Sequence, residues 1–300
     1  MSMIQTIELE TRKNLTQKTE EIKKEVKAFF ENLFYTHYTK VKQFQPKIQF
    51  TLDKGDFLVK TAENFDEVLQ ALRLRHEVFY GELLHQKKIK KLDIDRFDSI
   101  CDHLTVIEKK SGAMIGTYRF NSSAFSDEFY SSTEFDIANI IKLKGNKLEL
   151  GRACIHKDYR NGLTISLLWA GIAEYLKASE SKYLFGCSSV KTTDFYQIAN
   201  VYKYLKESSY APEELQVFPL KKFKVNGLAS YAEFLGKISA SYDPKVARKM
   251  VPSLLKTYIR AGAVVCGEPA LDKDFQCIDL LTLMDITKME KSFSRKFEVC

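Results

Sequence analysis

The stretch that decides the fold is Lys147-Leu-Glu-Leu-Gly-Arg-Ala-Cys-Ile-His-Lys-Asp-Tyr-Arg160. Apolar side chains at alternate positions in its first half predict a β-strand. Glu149 and Arg152 are three residues apart, and in a regular strand an odd offset places two side chains on opposite faces. A β-bulge at Gly151 would bring both to one face. From this stretch alone, the favoured interpretation of the two residues is a surface ion pair on an edge strand.

From Asn161 and Gly162 onward the apolar residues follow a helical period, with one face formed by Ile165, Leu168, Trp169 and Ile172. A charged strand that leads into a helix is where α/β folds commonly carry their chemistry. The sequence therefore predicts a functional site at the end of this strand.

The composition indicates a globular chain in a reducing compartment. Of its 300 residues, 45% are hydrophobic and 12% aromatic. No segment has the roughly 20 continuous apolar residues that span a membrane, and the first ten residues do not resemble a signal peptide. Six scattered cysteines have no zinc-like spacing, so we expect free thiols, a cytoplasmic location and no metal site. The Cys101-Asp-His103 pair is interpreted as a core cysteine rather than a nucleophile.

The net charge of +7 predicts an acidic partner. Basic clusters occur at Lys87-Lys-Ile-Lys-Lys91 and Lys221-Lys-Phe-Lys224. No nucleic-acid-binding motif accompanies them, so we interpret them as solvated surface and expect no nucleic acid partner.

The periodic segments predict an α/β chain (α+β in detail) with a mixed sheet covered by helices. We expect an N-terminal helical extension over 1–50, a main domain with a C-terminal α/β addition over 51–285, and a tail over 286–300. The expected helices are 1–46, 65–84, 133–141, one that starts at 161–162 and contains Trp169, 194–206 and segments around 231–235 and 246–259. The expected strands are 56–61, 103–108, 113–120, 147–155, 183–187, 263–266 and 275–283.

The first helix carries an apolar stripe formed by Leu15, Ile22, Val26, Phe29, Phe30, Leu33 and Phe34. Such a stripe usually packs on its own domain. Contact with a membrane surface is the alternative.

A loop rich in carboxylates contains Asp93, Asp95, Asp98 and Asp102. The alternate spacing is similar to the start of a calcium-binding loop, but the required glycine and terminal glutamate are missing. We therefore expect no metal here. The structural interpretation is that these acids pair with buried arginines, for which Arg75 and Arg119 are the candidates.

Several motifs in order give the chain a family resemblance. They are Arg75-His-Glu-Val-Phe79, Asp93-x-Asp95-x-x-Asp98, Gly116-Thr-Tyr-Arg119, Glu149-x-x-Arg152, Gly151-Arg-x-Cys154, Leu184-Phe-Gly-Cys187 and Asp272-x-Asp274-Phe275. Together they resemble the ornithine-lipid and N-acyl-amino-acid acyltransferases of the GNAT superfamily, which are related to acyl-homoserine-lactone synthases. The resemblance covers roughly residues 57–285. It implies a GNAT-like fold and transfer of a fatty acyl group, with or without a 3-hydroxyl, to an amine such as that of ornithine or glycine.

The resemblance also implies an acyl carrier protein as donor, with no resident cofactor. In relatives that use CoA, a glycine-rich turn holds the pyrophosphate at a helix N-terminus. The corresponding turn here, Arg160-Asn-Gly162, has a single glycine, which fits the one phosphate of a carrier-bound phosphopantetheine better. These three residues, with Cys154 and Trp169, are the expected contacts of the pantetheine and acyl chain.

The expected catalytic residues are Glu149, as general base toward the attacking amine, and Arg152, which would grip a carboxylate. The alternative for Arg152 is pairing with the acidic loop. For Arg75, Asp93, Asp95, Asp98 and Arg119, substrate contact and a structural salt bridge are weighted about equally. A lipid-like product would place the enzyme beside the inner face of the cytoplasmic membrane. Two other functions stay open: an acetyl-CoA-dependent N-acetyltransferase, and a non-catalytic module that binds carrier protein or membrane.

Overall fold

A computed structural model describes residues 3–86, 90–237 and 242–291. The helices are α1 (Met3–Val41), α2 (Phe65–His76), α3 (Ala138–Ile141), α4 (Gly162–Ala178), α5 (Phe195–Ser208), α6 (Leu228–Lys237), α7 (Pro244–Met250) and α8 (Ser253–Ala261). The strands are β1 (Thr51–Lys54), β2 (Phe57–Thr61), β3 (Asp102–Glu108), β4 (Met114–Ser122), β5 (Phe135–Asp136), β6 (Asn146–Ile155), β7 (Ser181–Val190), β8 (Phe218–Pro219), β9 (Val264–Val265), β10 (Ala270–Asp272) and β11 (Cys277–Asp285). A π-helical turn, Glu77–Leu83, continues α2.

The central sheet has nine strands in the order β1-β2-β3-β4-β6-β7-β11-β10, with β9 paired to β11. The pairs are antiparallel except for β6 and β7, which run parallel. Strands β5 and β8 form a separate two-stranded sheet. The predicted mixed sheet flanked by helices is therefore confirmed.

The two faces of the sheet bury different elements. On one side, here called the α4 face, Trp169 of α4 packs with Tyr118, Leu148 and Leu184 of the strands. On the other side, the α2 face, Leu74 of α2 belongs to a cluster that contains Cys154 and Met114. Because side chains alternate along a strand, Arg119 next to Tyr118 points to the α2 face. This division decides which wall of the site each residue forms.

The N-terminal helix ends earlier than predicted, and its stripe does not pack as expected. Helix α1 stops at Val41 instead of continuing to Pro46. Val41 and Phe44 pack beneath α2, which fixes the chain at that point. In contrast, Ile22 and Val26 are 59% and 47% exposed. The expectation that the stripe packs on its own domain is wrong for these residues.

Two further predictions need correction, and one strand was not predicted. The predicted helix over 246–259 is two helices, since Pro252 disfavours helical geometry in Val251 and separates α7 from α8. The predicted helix over 133–141 is a 3-10 turn (Tyr130–Thr133), β5 and the short α3. The sequence reasoning also missed β1, which forms a hairpin with β2.

Two predicted features lie outside the described residues: Lys87, Lys88 and Ile89 of the first basic cluster, and residues 292–300 of the tail. None of the helices in the described ranges is both long and apolar enough to cross a membrane.

Candidate active site

The parallel strands β6 and β7 separate in the middle of the sheet. They pair from Asn146 to Glu149 of β6, opposite Ser181 to Phe185 of β7. Beyond that point β6 follows β4 and β7 follows β11, so a gap opens between them. Gly186 lies at its start with φ +157°, and a Cβ there would be 2.2 Å from the Leu150 carbonyl oxygen. A side chain at position 186 is therefore incompatible with this geometry.

A bulge in β6 orients the two predicted catalytic residues. Thr117 pairs with Cys154 and Arg119 with Gly151, so Arg152 and Ala153 together oppose a single residue of β4. Arg152 has a left-handed backbone, with φ +53°. The predicted bulge is confirmed, but the residue with unusual geometry is Arg152 rather than Gly151. As a result, Glu149 and Arg152 both line the same cavity.

This cavity, of about 420 Å³, passes through the gap between β6 and β7. Its wall on the α4 face is mainly apolar and includes Tyr118, Leu150, Ala153, Leu184, Leu255, Tyr258 and Met284. Its wall on the α2 face carries the polar residues Arg119, Tyr130, Ser131, Glu149, Arg152, Cys187, Asp272 and Asp279 beside the apolar residues Phe79, Leu83, Leu84, Phe185 and Phe275. A ligand that crosses the gap would meet an apolar environment on one side and charges on the other.

The predicted arginines and aspartates form one buried ion-pair network. Arg75 contacts Asp93 at 2.6 Å and Asp98 at 2.6 Å. Arg119 contacts Asp95 at 2.7 Å and Asp98 at 3.0 Å. Burial alone would raise the pKa of Asp95, but the nearby guanidinium groups overcome this effect and lower it. The structural pairing expected from the sequence is thus present.

The network separates residues that reach the cavity from residues that support them. Arg75, Asp93 and Asp98 are at most 3% exposed and belong to the buried network behind the cavity wall. Arg119 and Arg152 are in the wall itself. The first three therefore have the geometry of supports.

Arg152 is held between two aromatic rings, with its guanidinium carbon 5.1 Å from the centroids of Tyr130 and Phe275. Its Nη2 donates a hydrogen bond to Asp95 at 3.2 Å. Its Nε is enclosed, lies 3.7 Å from Asp93, and has no hydrogen-bond partner among the described residues. This N–H therefore has an ion-pair contact but no acceptor within hydrogen-bond distance in the described chain.

The carboxylate of Glu149 is also fixed. It accepts hydrogen bonds from the backbone N–H groups of Tyr130 at 2.8 Å and Ser131 at 2.7 Å. Burial raises the pKa of Glu149, although these hydrogen bonds oppose the shift. Each carboxylate oxygen keeps a lone pair, so Glu149 can accept a proton at the edge of the gap.

Sequence reasoning missed a second group of carboxylates, which we call the acid wall: Glu134, Asp272 and Asp279. Asp279 on β11 lies opposite Ser189 on β7, whose hydroxyl donates to it at 2.5 Å. Ligand atoms of Asp272, Cys277 and Asp279 lie within 4.8 Å of one another, a set that could hold a metal ion. The only sequence signal for the acid wall was Asp272 in the tail motif. The other members come from distant positions of the sequence and meet Asp272 only through the tertiary fold.

The remaining predicted residues lie elsewhere. Arg160 and Gly162 are at the exposed N-terminus of α4, where the Asn161 side chain accepts a hydrogen bond from Thr164 N at 3.0 Å. Cys154 and Trp169 are 5% and 2% exposed and pack in the hydrophobic clusters on opposite faces of the sheet. Neither residue lines the cavity, although the Trp169 ring is 5.8 Å from that of Tyr258, which does.

Comparisons with known proteins agree with this architecture. A family model described as an acetyltransferase (GNAT) domain matches residues 74–170. The L-ornithine N(alpha)-acyltransferase of Rhodobacter capsulatus is 29% identical over 245 residues, which cover 78% of this chain and 91% of the relative. The enzyme of the same name from Brucella abortus is 27% identical over 254 residues, which cover 80% of this chain and 88% of the relative.

Among solved structures, a CoA-dependent acyl-homoserine lactone synthase with SAM and isopentyl-CoA matches with a TM-score of 0.43 and 14% identity. The match covers 78% of this chain and 80% of that protein. The GNAT domain, the mixed sheet and the named relatives lead to one conclusion. This chain is an acyltransferase with a GNAT-like fold, homologous to the L-ornithine N(alpha)-acyltransferases.

Proposed function

We propose that the chain is an N-acyltransferase that moves a fatty acyl group, with or without a 3-hydroxyl, from acyl carrier protein to the amine of an amino acid. Ornithine is the first candidate acceptor, because it appears in the names of the curated relatives. The product would be a lyso-aminolipid.

The observation that carries this proposal is the division of the cavity across the gap in the sheet. An acyl chain suits the apolar wall on the α4 face, and a zwitterionic acceptor suits the charged wall on the α2 face. The reacting thioester would then lie in the gap. Beyond Glu149, the N–H groups of β6 that point into the gap have no parallel partner strand in the described chain, so they are available to its carbonyl oxygen.

The chemistry requires a neutral amine at the thioester carbon. Glu149 would take a proton from the acceptor ammonium, directly or through a water molecule. The amine nitrogen then forms a bond to the carbonyl carbon, and the carbon–sulfur bond breaks. As the amide forms, the attacking nitrogen loses a second proton, which the departing pantetheine sulfur takes up to become a thiol. The first proton passes from Glu149 to solvent, so an amide and a free thiol are the two products.

The turn before α4 and the net charge of the chain support the choice of acyl carrier protein as the donor. The single-glycine turn at Arg160, Asn161 and Gly162 offers a helix N-terminus to one phosphate. Lys191 is an exposed cation on the wall of the cavity. It lies near Leu83, whose side chain is 49% exposed. With a net charge of +7, these features favour an acidic carrier protein over free CoA.

The last part of the proposal is that the enzyme acts at a membrane surface, which it contacts through α1. Ile22 and Val26 are exposed on α1, and the product is amphipathic. An Ile22→Glu, Val26→Glu variant should lose co-flotation with lipid vesicles while acyl transfer to a soluble acceptor continues. Equal flotation of both proteins would count against membrane contact by α1.

The direct test is a reaction of purified protein with palmitoyl carrier protein or palmitoyl-CoA in the presence of ornithine. Free thiol is followed by a colorimetric reagent, and the N-acyl product by mass spectrometry. We expect product with the carrier-protein donor, a lower kcat/KM with CoA, and a loss of kcat in Glu149→Gln. Wild-type protein that releases no thiol with either donor would refute the acyltransfer proposal.

A further inference from the structure

The acid wall is a buried cluster of three carboxyl groups that has no cationic partner in the described part of the chain. Glu134, Asp272 and Asp279 are at most 7% exposed. Among the described residues, no lysine or arginine lies within salt-bridge distance of any of the three. Their contacts are hydrogen bonds from hydroxyl, thiol and backbone groups, such as Asp274 N and Phe275 N to Asp272 at 2.8 and 3.0 Å, and a hydrogen bond between the carboxyl groups of Glu134 and Asp279. Buried carboxylates normally occur with a compensating cation.

Asp272 and Asp279 of the acid wall face the same cavity as Arg152, from different strands, while Glu134 lies behind them. Asp279 is on β11 and Asp272 on β10, whereas Arg152 is on β6 at the other edge of the gap. Burial raises the pKa of Asp279, and Arg152 is near enough to oppose that shift. Arg152 does not neutralise the acid wall, because Asp93 and Asp95 already pair with it.

A second, independent observation comes from Arg152 itself. Its Nε is enclosed and has no hydrogen-bond partner in the described part of the chain. A guanidinium N–H without a hydrogen-bond acceptor at one wall suits a carboxylate, and carboxyl groups without a protein cation at another wall suit an ammonium group. One small molecule that carries both, with a reactive amine between them, is an amino acid with a cationic side chain.

We propose that Asp279 and Asp272, supported by Glu134, bind the side-chain ammonium of a diamino-acid acceptor while Arg152 binds its carboxylate. This inference rests on the proposed acyltransfer and adds the property that selects the acceptor. The α-amine is then presented to the thioester at the gap beside Glu149. Amino acids without a second ammonium leave the acid wall unpaired and are rejected.

The test compares ornithine with norvaline, which has the same carbon chain but no terminal amine. A site built to pair a polar group rejects the analogue that lacks it by orders of magnitude, so wild-type protein should prefer ornithine by about 100-fold or more in kcat/KM. Asp279→Asn should lower kcat/KM for ornithine about 30- to 5000-fold, the range for loss of one partner in a buried charged pair. Its kcat/KM for norvaline should not fall, which also shows that the variant is folded.

Asp274→Asn is the matched control, because this exposed carboxylate lies on the same hairpin as Asp272. It should keep the wild-type ratio, as should wild-type protein after treatment with EDTA. Loss of the preference on EDTA treatment would overturn the inference by assigning Asp272, Cys277 and Asp279 to a metal ion.

Two results separate this inference from the proposed function. If wild-type protein acylates ornithine and norvaline equally well, acyltransfer stands and the ammonium site is refuted. The same holds if Asp279→Asn keeps the wild-type preference. If neither amino acid is acylated from any donor, both proposals fail together.

Discussion

Asp98→Asn tests whether the buried ion network holds the site together or binds substrate. Asp98 is fully buried and accepts hydrogen bonds from Arg75 Nη1 at 2.6 Å, Arg119 Nη1 at 3.0 Å and Asp95 N at 2.7 Å. The substitution leaves three arginines with two aspartates and points an amide N–H₂ toward a guanidinium. Breaking such a buried pair destabilises a protein by about 3–5 kcal/mol.

Urea unfolding followed by fluorescence measures this change, since the single tryptophan, Trp169, is 2% exposed. We expect a lower midpoint with an unchanged slope, and a melting temperature lower by roughly 6–15 °C. Glu128→Gln is the control, because it breaks an Arg–carboxylate pair of similar length, 3.0 Å to Arg96, at an exposed position. It should cost less than about 1 kcal/mol. Equal stability losses in the two variants, with a raised KM only in Asp98→Asn, would refute the structural role.

Three further variants test the gap, the acid wall and the acyl wall. Gly186→Ala would place a Cβ 2.2 Å from the Leu150 carbonyl oxygen, so the strands must shift. We therefore expect a lower kcat and a free energy of unfolding lower by about 1–3 kcal/mol. Wild-type values of both quantities would contradict the close contact. Burial raises the pKa of Glu134 to about 8, so its stabilising protonated form is lost as pH rises through that value. Wild-type protein should therefore lose about 1–2 kcal/mol between pH 6.5 and 8 in urea titrations, and Glu134→Gln should lack this slope. Ala153→Phe should narrow the apolar wall and lower kcat/KM for palmitoyl more than for butyryl carrier protein, whereas equal losses would place the acyl chain elsewhere.

Local pattern was sufficient to predict the centre of the fold. Alternating apolar residues around Glu149 and the helical period after Gly162 identified β6 and α4. A glycine between two charged residues indicated a bulge. The sequence pattern could not show that Arg152 would adopt a left-handed backbone conformation, because that conformation is imposed by the register between β6 and β4. The order of strands likewise comes from tertiary pairing.

The acid wall could not be predicted because its members meet only through long-range pairing. Asp279 reaches Ser189 because β11 lies antiparallel to β7, across 90 positions of sequence. Glu134 comes from the loop between β4 and β6, in a segment predicted as helix. No local sequence spacing relates these residues, so neither composition nor periodicity could predict that they form a cluster.

The Arg–Asp network and the acid wall beside the gap differ in charge balance. This difference distinguishes residues that hold the site in place from residues that bind the acceptor. The network of Arg75, Arg119 and Arg152 with three aspartates balances its own charge inside the protein, so it can hold Arg152 in place with or without a ligand. The acid wall has no such balance among the described residues, so part of its negative charge must be met by protons or by a ligand. An ammonium group that displaces those protons would bind most tightly where the wall is ionised. Preference for ornithine over norvaline should therefore rise as pH increases toward the raised pKa of Glu134, about 8, and a flat profile would argue that the wall never contacts the acceptor.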